Sequence, residues 1–162
     1  MEFLAWLENT SFAIWVRESP SILAYPSILF LHTVGLGFLV GTNVAIDLRI
    51  LKRSPSAVEL PLALAPMEPF FKVMWAGFWI NAMSGIALLI ADATTKLINP
   101  VFYIKIAFIA CGVFTMVLIR KKVFHGTSNG RALAIASLVL WAGAITAGRL
   151  MAYFGPVSGL TQ

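Results

Sequence analysis

The sequence predicts an all-α, polytopic membrane protein: a four-helix transmembrane bundle with an N-terminal interfacial helix. Three observations predict it. Four apolar runs are each long enough to cross a hydrocarbon layer, for which about twenty residues suffice. The chain is 59% hydrophobic and 12% charged, with a mean hydropathy of +0.87, whereas about a quarter of a soluble domain is charged. The charges it has gather near the ends of the apolar runs. All 162 residues are therefore expected in a single integral membrane domain, 1–162, in a lipid bilayer.

Residues 2–18, EFLAWLENTSFAIWVRE, mix Trp6, Phe12 and Trp15 with Glu2, Glu8, Arg17 and Glu18. This stretch is too polar to cross a bilayer and is suited to lie in its interface as a surface helix ended by Pro20. Met1-Glu2-Phe3 lacks the positive start and small-residue cleavage site of a signal peptide, so the segment is expected to be retained. Span one, about 22–51, tolerates Pro26 in its first turn or as a kink. Gly37 and Gly41 within it form a small-xxx-small face on which another helix can pack.

Pro55, Pro61, Pro66 and Pro69 punctuate the next connection, which has room for at most a short interfacial helix. Span two, about 70–91, carries Trp75, Trp79, Asn81, Ser84 and Gly85. A short loop from Asp92 to Pro100 leads to span three, about 101–119, which ends on Arg120-Lys121-Lys122. The turn residues of HGTSNGR precede span four, about 132–154, stopped by Gly155-Pro156.

The formal net charge of +5 is spread over twelve Lys and Arg rather than gathered in a patch, which excludes nucleic acid as the expected partner. Arg49, Lys52, Arg53, Lys72, Arg120, Lys121, Lys122 and Arg131 fall on one side of the four spans. Arg17, Lys96, Lys105 and Arg149 fall on the other. The positive-inside rule makes the richer side cytoplasmic and places both termini in the periplasm or outside the cell. Cys111 lies alone within a span and reads as a small buried apolar residue. No nucleophile with a base, phosphate loop or catalytic carboxylate pair occurs, so the sequence gives no enzymatic signature.

Polar groups at membrane depth are the candidates for function. His32 lies six residues beyond Pro26, roughly 9 Å along the axis, and Lys105 and Arg149 lie at similar depth in spans three and four. Asn43 falls about 20° from His32 at 100° per residue. Gly77, Asn81, Ser84, Gly85 and, more loosely, Asp92 share a stripe of span two. Lys105 shares its face with Gly112 and Met116, and Arg149 shares its face with Ala142, Thr146 and Tyr153. These faces are expected to point inward and to form one outer-half pocket, in which Asp92 is the counter-ion for Lys105 or Arg149. At the other boundary, Asp47 with Arg49, and Glu68 with Lys72, read as ion-pairing anchors.

The expected ligand-binding set is His32, Asn43, Asn81, Ser84, Asp92, Lys105, Arg149 and Tyr153. It suits a small ligand such as a quinone, or the docking of a redox partner. A second reading is a haem b or copper carrier. His32 would be the ligand, Met83 or Met151 a second ligand, and Lys105 and Arg149 would neutralise haem propionates. His125 lies in the opposite loop, so a bis-histidine haem is not available within one chain. A third reading is a structural subunit of a membrane complex, whose polar residues only hold helices together; under any of the three, a periplasmic redox or metal-handling protein and a second copy of the chain in a homo-oligomer are the candidate partners.

The motifs LHTVGLGFLVGTNVAIDLRIL, WAGFWINAMSGIALLIADA with NPVFYIKI, and AGRLMAYF resemble the small bacterial membrane proteins grouped as domain-of-unknown-function family 6644. The resemblance runs from about Leu4 to Phe154. It implies a bacterial inner-membrane location and puts His32, Asp47, Arg49, Trp75, Gly85, Asp92, Asn99, Pro100, Lys105 and Arg149 at signature positions. More distantly, the histidine-bearing span and NPVFYIKIAFIACGVFTMVLIRKK resemble the membrane domain of copper-resistance protein D. The methionine- and histidine-rich outer loops expected for copper capture are missing.

Overall fold

The computed structural model describes residues 2–52, 60–125 and 130–153, with Ala152 and Tyr153 described as backbone only. Its helices are α1 (Glu2–Glu8), α2 (Ser11–Glu18), α3 (Tyr25–Lys52), α4 (Leu60–Leu64), α5 (Phe70–Ile90), α6 (Ala93–Ile98), α7 (Pro100–Leu118) and α8 (Arg131–Tyr153). A 3-10 turn, Ala65–Met67, precedes α5, and a π turn, Ile119–Val123, extends α7. No strand occurs among the described residues. Arg53, Pro55, residues 126–129 and Phe154 to Pro156 lie outside them, as does the side chain of Tyr153.

Four helices, α3, α5, α7 with its extension, and α8, are long and apolar enough to cross a membrane. The chain is thus an all-α, multi-pass membrane protein. Only 17% to 28% of the most apolar stretch of each span is buried within the chain, so most apolar side chains face outward. Phe30, Trp79, Met83, Phe114 and Val139 are among them. Lipid accepts such a surface, and the helices satisfy their own backbone groups.

Local chemistry sets most boundaries. The stretch 2–18 forms two helices instead of one, because Thr10 caps α2 by accepting from Ala13 N at 3.3 Å. Asn9 closes α1 by donating to the Ala5 carbonyl at 2.8 Å. Pro26 stands in the first turn of α3, where an N–H has no intrahelical partner to lose. Asn99 accepts from Val101 N at 2.9 Å to cap α7, with Pro100 at its first position. The loop expected between spans two and three instead contains α6, whose cap is not local: Glu8 of α1 accepts from both N and Oγ1 of Thr94, each at 2.7 Å.

Packing proceeds in pairs. α3 packs most closely on α5, and α7 on α8, while a lesser seam between α3 and α8 joins the pairs. Gly130 at the start of α8 lies against Ile50 near the end of α3, so these two helices run antiparallel. Phe71 meets Phe124 edge-on at 5.0 Å and lies under Arg120 at 5.2 Å, which ties α5 to the end of α7. The apolar core fills this end, with Ile46, Ile50, Leu64, Phe71, Ile119 and Trp141 all at most 2% exposed.

The closest crossing is at Gly35 and Gly77. A Cβ on Gly35 would stand 2.6 Å from Asn81 N, and one on Gly77 would stand 2.7 Å from Leu39 N. Both obstacles are backbone and cannot yield. Gly37 and Gly41, expected to form the packing face, are exposed with nothing within 4 Å of a Cβ; they sit on the lipid side of α3. Gly35→Ala should therefore destabilise the protein by about 1–3 kcal/mol through overpacking. Gly37→Ala should be neutral or stabilising by up to about 1 kcal/mol from helix propensity. Thermal unfolding in detergent distinguishes the two, and equal melting temperatures would refute this placement of the crossing.

Candidate functional site

The crossing brings His32 of α3 down onto α5. Its Nδ1 lies 3.0 Å from the Asn81 carbonyl oxygen and 3.2 Å from Ser84 Oγ. The Asn81 amide nitrogen, a donor, also stands 3.3 Å from Nδ1, but the carbonyl oxygen is nearer and can only accept, so the tautomer assigned has Nδ1 carrying the proton and donating. Ser84 can share that proton because its own hydroxyl donates to the Ile80 carbonyl at 2.6 Å. Asn81 Nδ2 answers by donating to the His32 carbonyl at 2.8 Å. Gly85 leaves space for the ring, since a Cβ there would stand 3.1 Å from Cε1. In this tautomer Nε2 carries a lone pair, and it has no hydrogen-bond partner among the described residues.

Two ammonium groups share this end. Lys105 of α7 and Lys96 of α6 stand close enough for their charges to act on the imidazole and on each other. The stem of Lys105 runs over Gly148 of α8, with Cε 3.6 Å from a Cβ there. Lys96 donates to the Leu88 carbonyl at 2.6 Å and stands 3.9 Å from Asp92 Oδ2. Burial lowers the pKa of Lys96, and Asp92 and Glu8 only partly offset it. The lone pair of Nε2 can accept from a hydroxyl, while the two ammonium groups can donate to a carbonyl or anionic oxygen of the same small molecule.

Not every expected residue joins this group. Asp92 pairs with Lys96 rather than with Lys105 or Arg149. Arg149, with Ala142 and Thr146, is exposed on α8. The inward face of α8 is instead Ala134, Ser137, Trp141, Ala144 and Ala147. Small residues line both sides of this helix, so their spacing did not identify the packed face. Asn43 is 2% exposed and donates to the Leu39 carbonyl at 2.7 Å; it lies eleven residues, roughly 16 Å, along α3 from His32. Met83 is 70% exposed, on the side of α5 opposite the His32 contacts. Met151 is half-buried on α8. No three His, Cys, Asp or Glu side chains converge as a metal site among the described residues.

The boundary anchors also differ from expectation. Asp47 is 1% exposed with both oxygens unpartnered, while Arg49 points out and reaches the Ala63 carbonyl at 3.5 Å. Their i, i+2 spacing sends them to different faces. Glu68 and Lys72 form no ion pair among the described residues. They line a cleft of about 450 Å³ with Phe71, Trp75 and Arg120.

Sequence reading passed over Glu8, Thr94 and Lys96. Their link joins residues 86 apart in the chain, and no local pattern encodes it. Burial against α6 raises the Glu8 pKa, but the Thr94 hydrogen bonds and Arg17 outweigh it and hold the carboxyl below the ordinary glutamate range. A folded value below the unfolded one means that the contact contributes fully above that range and is lost as pH falls through the folded value. Acidification below about pH 4.5 should therefore release α1 from α6. Amide hydrogen exchange of residues 2–8 and 93–98 should rise at low pH in the wild type and be high at every pH in Glu8→Gln.

The Asp92 and Lys96 side chains are 46% and 23% exposed, so a double-mutant cycle of Asp92→Asn with Lys96→Met should give a coupling of at most about 1 kcal/mol. Asp92→Asn with Arg149→Met should be additive. A larger coupling in the second cycle than in the first would contradict the observed pairing. Comparisons with protein-family models, curated proteins and solved structures give no match to this chain.

Proposed function

We propose that this chain is a bacterial inner-membrane protein that binds the polar head of a small apolar molecule of the quinone class at His32, Lys96 and Lys105. The observation that carries the reading is the free lone pair of His32 Nε2 beside the ammonium of Lys105, which has no hydrogen-bond partner among the described residues. A quinol hydroxyl can donate to Nε2, and a quinone carbonyl can accept from Lys105. The apolar tail would lie along the lipid-facing side of the spans. A periplasmic redox protein is the partner this chemistry would serve. The motif resemblance to family 6644 supports the bacterial inner membrane, and the division of cations supports a periplasmic His32 end with both termini on that side.

Haem b or copper is the second reading. It is favoured by the Nδ1 hydrogen bond to a carbonyl, which is how metal-ligating histidines are commonly held. Asn81 and Ser84 would then orient the ring, and Nε2 would be the ligand.

Purified protein should bind a short-chain quinone in lipid nanodiscs, with at least about tenfold weaker binding in Lys105→Met and His32→Gln, equivalent to about 1.4 kcal/mol. Lys105→Met leaves every contact of His32 with α5 in place, so it tests the pocket apart from folding. Unchanged affinity in both variants would refute the quinone reading. A Soret band or stoichiometric copper lost in His32→Gln would establish the second reading instead. Reporter fusions after Arg53 and within 121–131 should report cytoplasm, and one near Lys96 periplasm; the reverse would invert the pocket.

A further inference from the structure

The seam between α3 and α8 encloses a second polar group, separate from the His32 pocket. Asp47 is 1% exposed and Ser137 of α8 is 0% exposed. Both carboxyl oxygens of Asp47, Ser137 Oγ and Trp141 Nε1 are buried without a hydrogen-bond partner among the described residues. Ser137 is the side chain that faces Asp47. Asn43 lies one turn before Asp47, and Trp141 lies one turn after Ser137. Because the helices run antiparallel, Asn43 and Trp141 both lie on the same side of the Asp47–Ser137 pair along the seam, and the Trp141 ring packs on Gly112 of α7. Around them lie Ile46, Ile50, Ala134 and Ala144, at most 3% exposed.

An ionised carboxylate in such a place costs several kcal/mol unless a cation or several donors hold it. The charged groups and the histidine on the elements packed here are Arg49, Lys52 and His32 on α3, Lys72 on α5, and Arg131 and Arg149 on α8. α4 has none. None of these forms an ion pair with Asp47. We propose that Asp47 is a proton-binding site in the bundle interior, carrying a proton at neutral pH and presenting its O–H to Ser137. The ligand is the proton itself, and the site lies at the joint between the α3/α5 pair and the α7/α8 pair. Loss of the proton leaves in the seam a charge that only the Ser137 hydroxyl faces, with no cation beside it, so the bound proton holds the two pairs together.

Asp47 and Asp92 are the only aspartates in the chain, which makes the test direct. Full-length protein labelled with carboxyl-13C aspartate in lipid nanodiscs should give two signals. At neutral pH one should have the shift of a protonated acid and the other that of a carboxylate, and Asp92→Asn should remove only the latter. Two carboxylate signals at neutral pH would overturn the proposal. As a second measurement, raising the pH from about 5 through neutral should lower the melting temperature of the wild type more than that of Asp47→Asn, because the unfolded chain has already lost this proton while the folded one still holds it. The same pH dependence in both proteins would show that Asp47 does not govern the seam. The labelling experiment needs no variant at position 47, so a folding defect of Asp47→Asn leaves the first test intact.

Discussion

The contact on which the rest of the His32 end depends is the backbone approach of α3 to α5 at Gly35 and Gly77. Without a Cβ on either side, the two helices meet backbone to backbone. In lipid, where the surroundings are as apolar as the side chains, such close contact supplies the dispersion and hydrogen bonding that water would otherwise favour through burial. The crossing also sets the reach of His32. One turn away from Gly35, its imidazole falls onto the Asn81 carbonyl and Ser84 hydroxyl. A wider crossing would leave these groups too far apart to bond.

The two ends of the bundle are held differently. Around Ile46, Leu64, Phe71 and Trp141 the chain has a packed apolar core. Around His32 it has polar contacts between elements: imidazole to carbonyl, Asn81 to the His32 carbonyl, Glu8 to Thr94, and Arg17 to the Ala91 carbonyl at 3.3 Å. Each such bond contributes about 0.5–1.5 kcal/mol net, so this end is the easier one to open. A ligand can enter there without breaking a core. The surface helices α1 and α2 close that end through α6, and the charge on Glu8 sets how firmly they do so.

Polar groups buried among apolar neighbours divide along the same line. Near His32, every described polar side chain of α3 and α5 that is buried meets a partner. In the α3/α8 seam, Asp47, Ser137 and Trp141 bring donors and acceptors together without closing bonds. Helix pairs joined by a lesser seam can change their relation at smaller cost than pairs locked by glycine contacts. The unpartnered group therefore sits where the bundle is most able to respond.

The sequence by itself determined the fold class, because a run of about twenty apolar residues has few alternatives to a spanning helix. Pro26 was legible as a first-turn residue of span one and stands there, whereas the Thr10 and Asn99 caps, which divide 2–18 and start α7, emerged only in the structure. Periodicity placed Gly77, Asn81, Ser84, Gly85 and, more loosely, Asp92 on one face of span two; the structure buries the first three and leaves Gly85 and Asp92 half-buried. Tertiary structure alone decided which glycines pack. Gly35 and Gly37 are two residues apart, and only the position of the neighbouring helix tells them apart. It decided likewise that Asp92 meets Lys96, that Arg149 faces out, and that Asp47 turns into the seam while Arg49 turns away. In a membrane helix both faces are apolar and small residues occur on each, so hydrophobic periodicity loses the contrast that marks the inside of a soluble protein. The cap that Glu8 provides for α6 was invisible for a simpler reason: its partner lies 86 residues away, and only folding brings the two together.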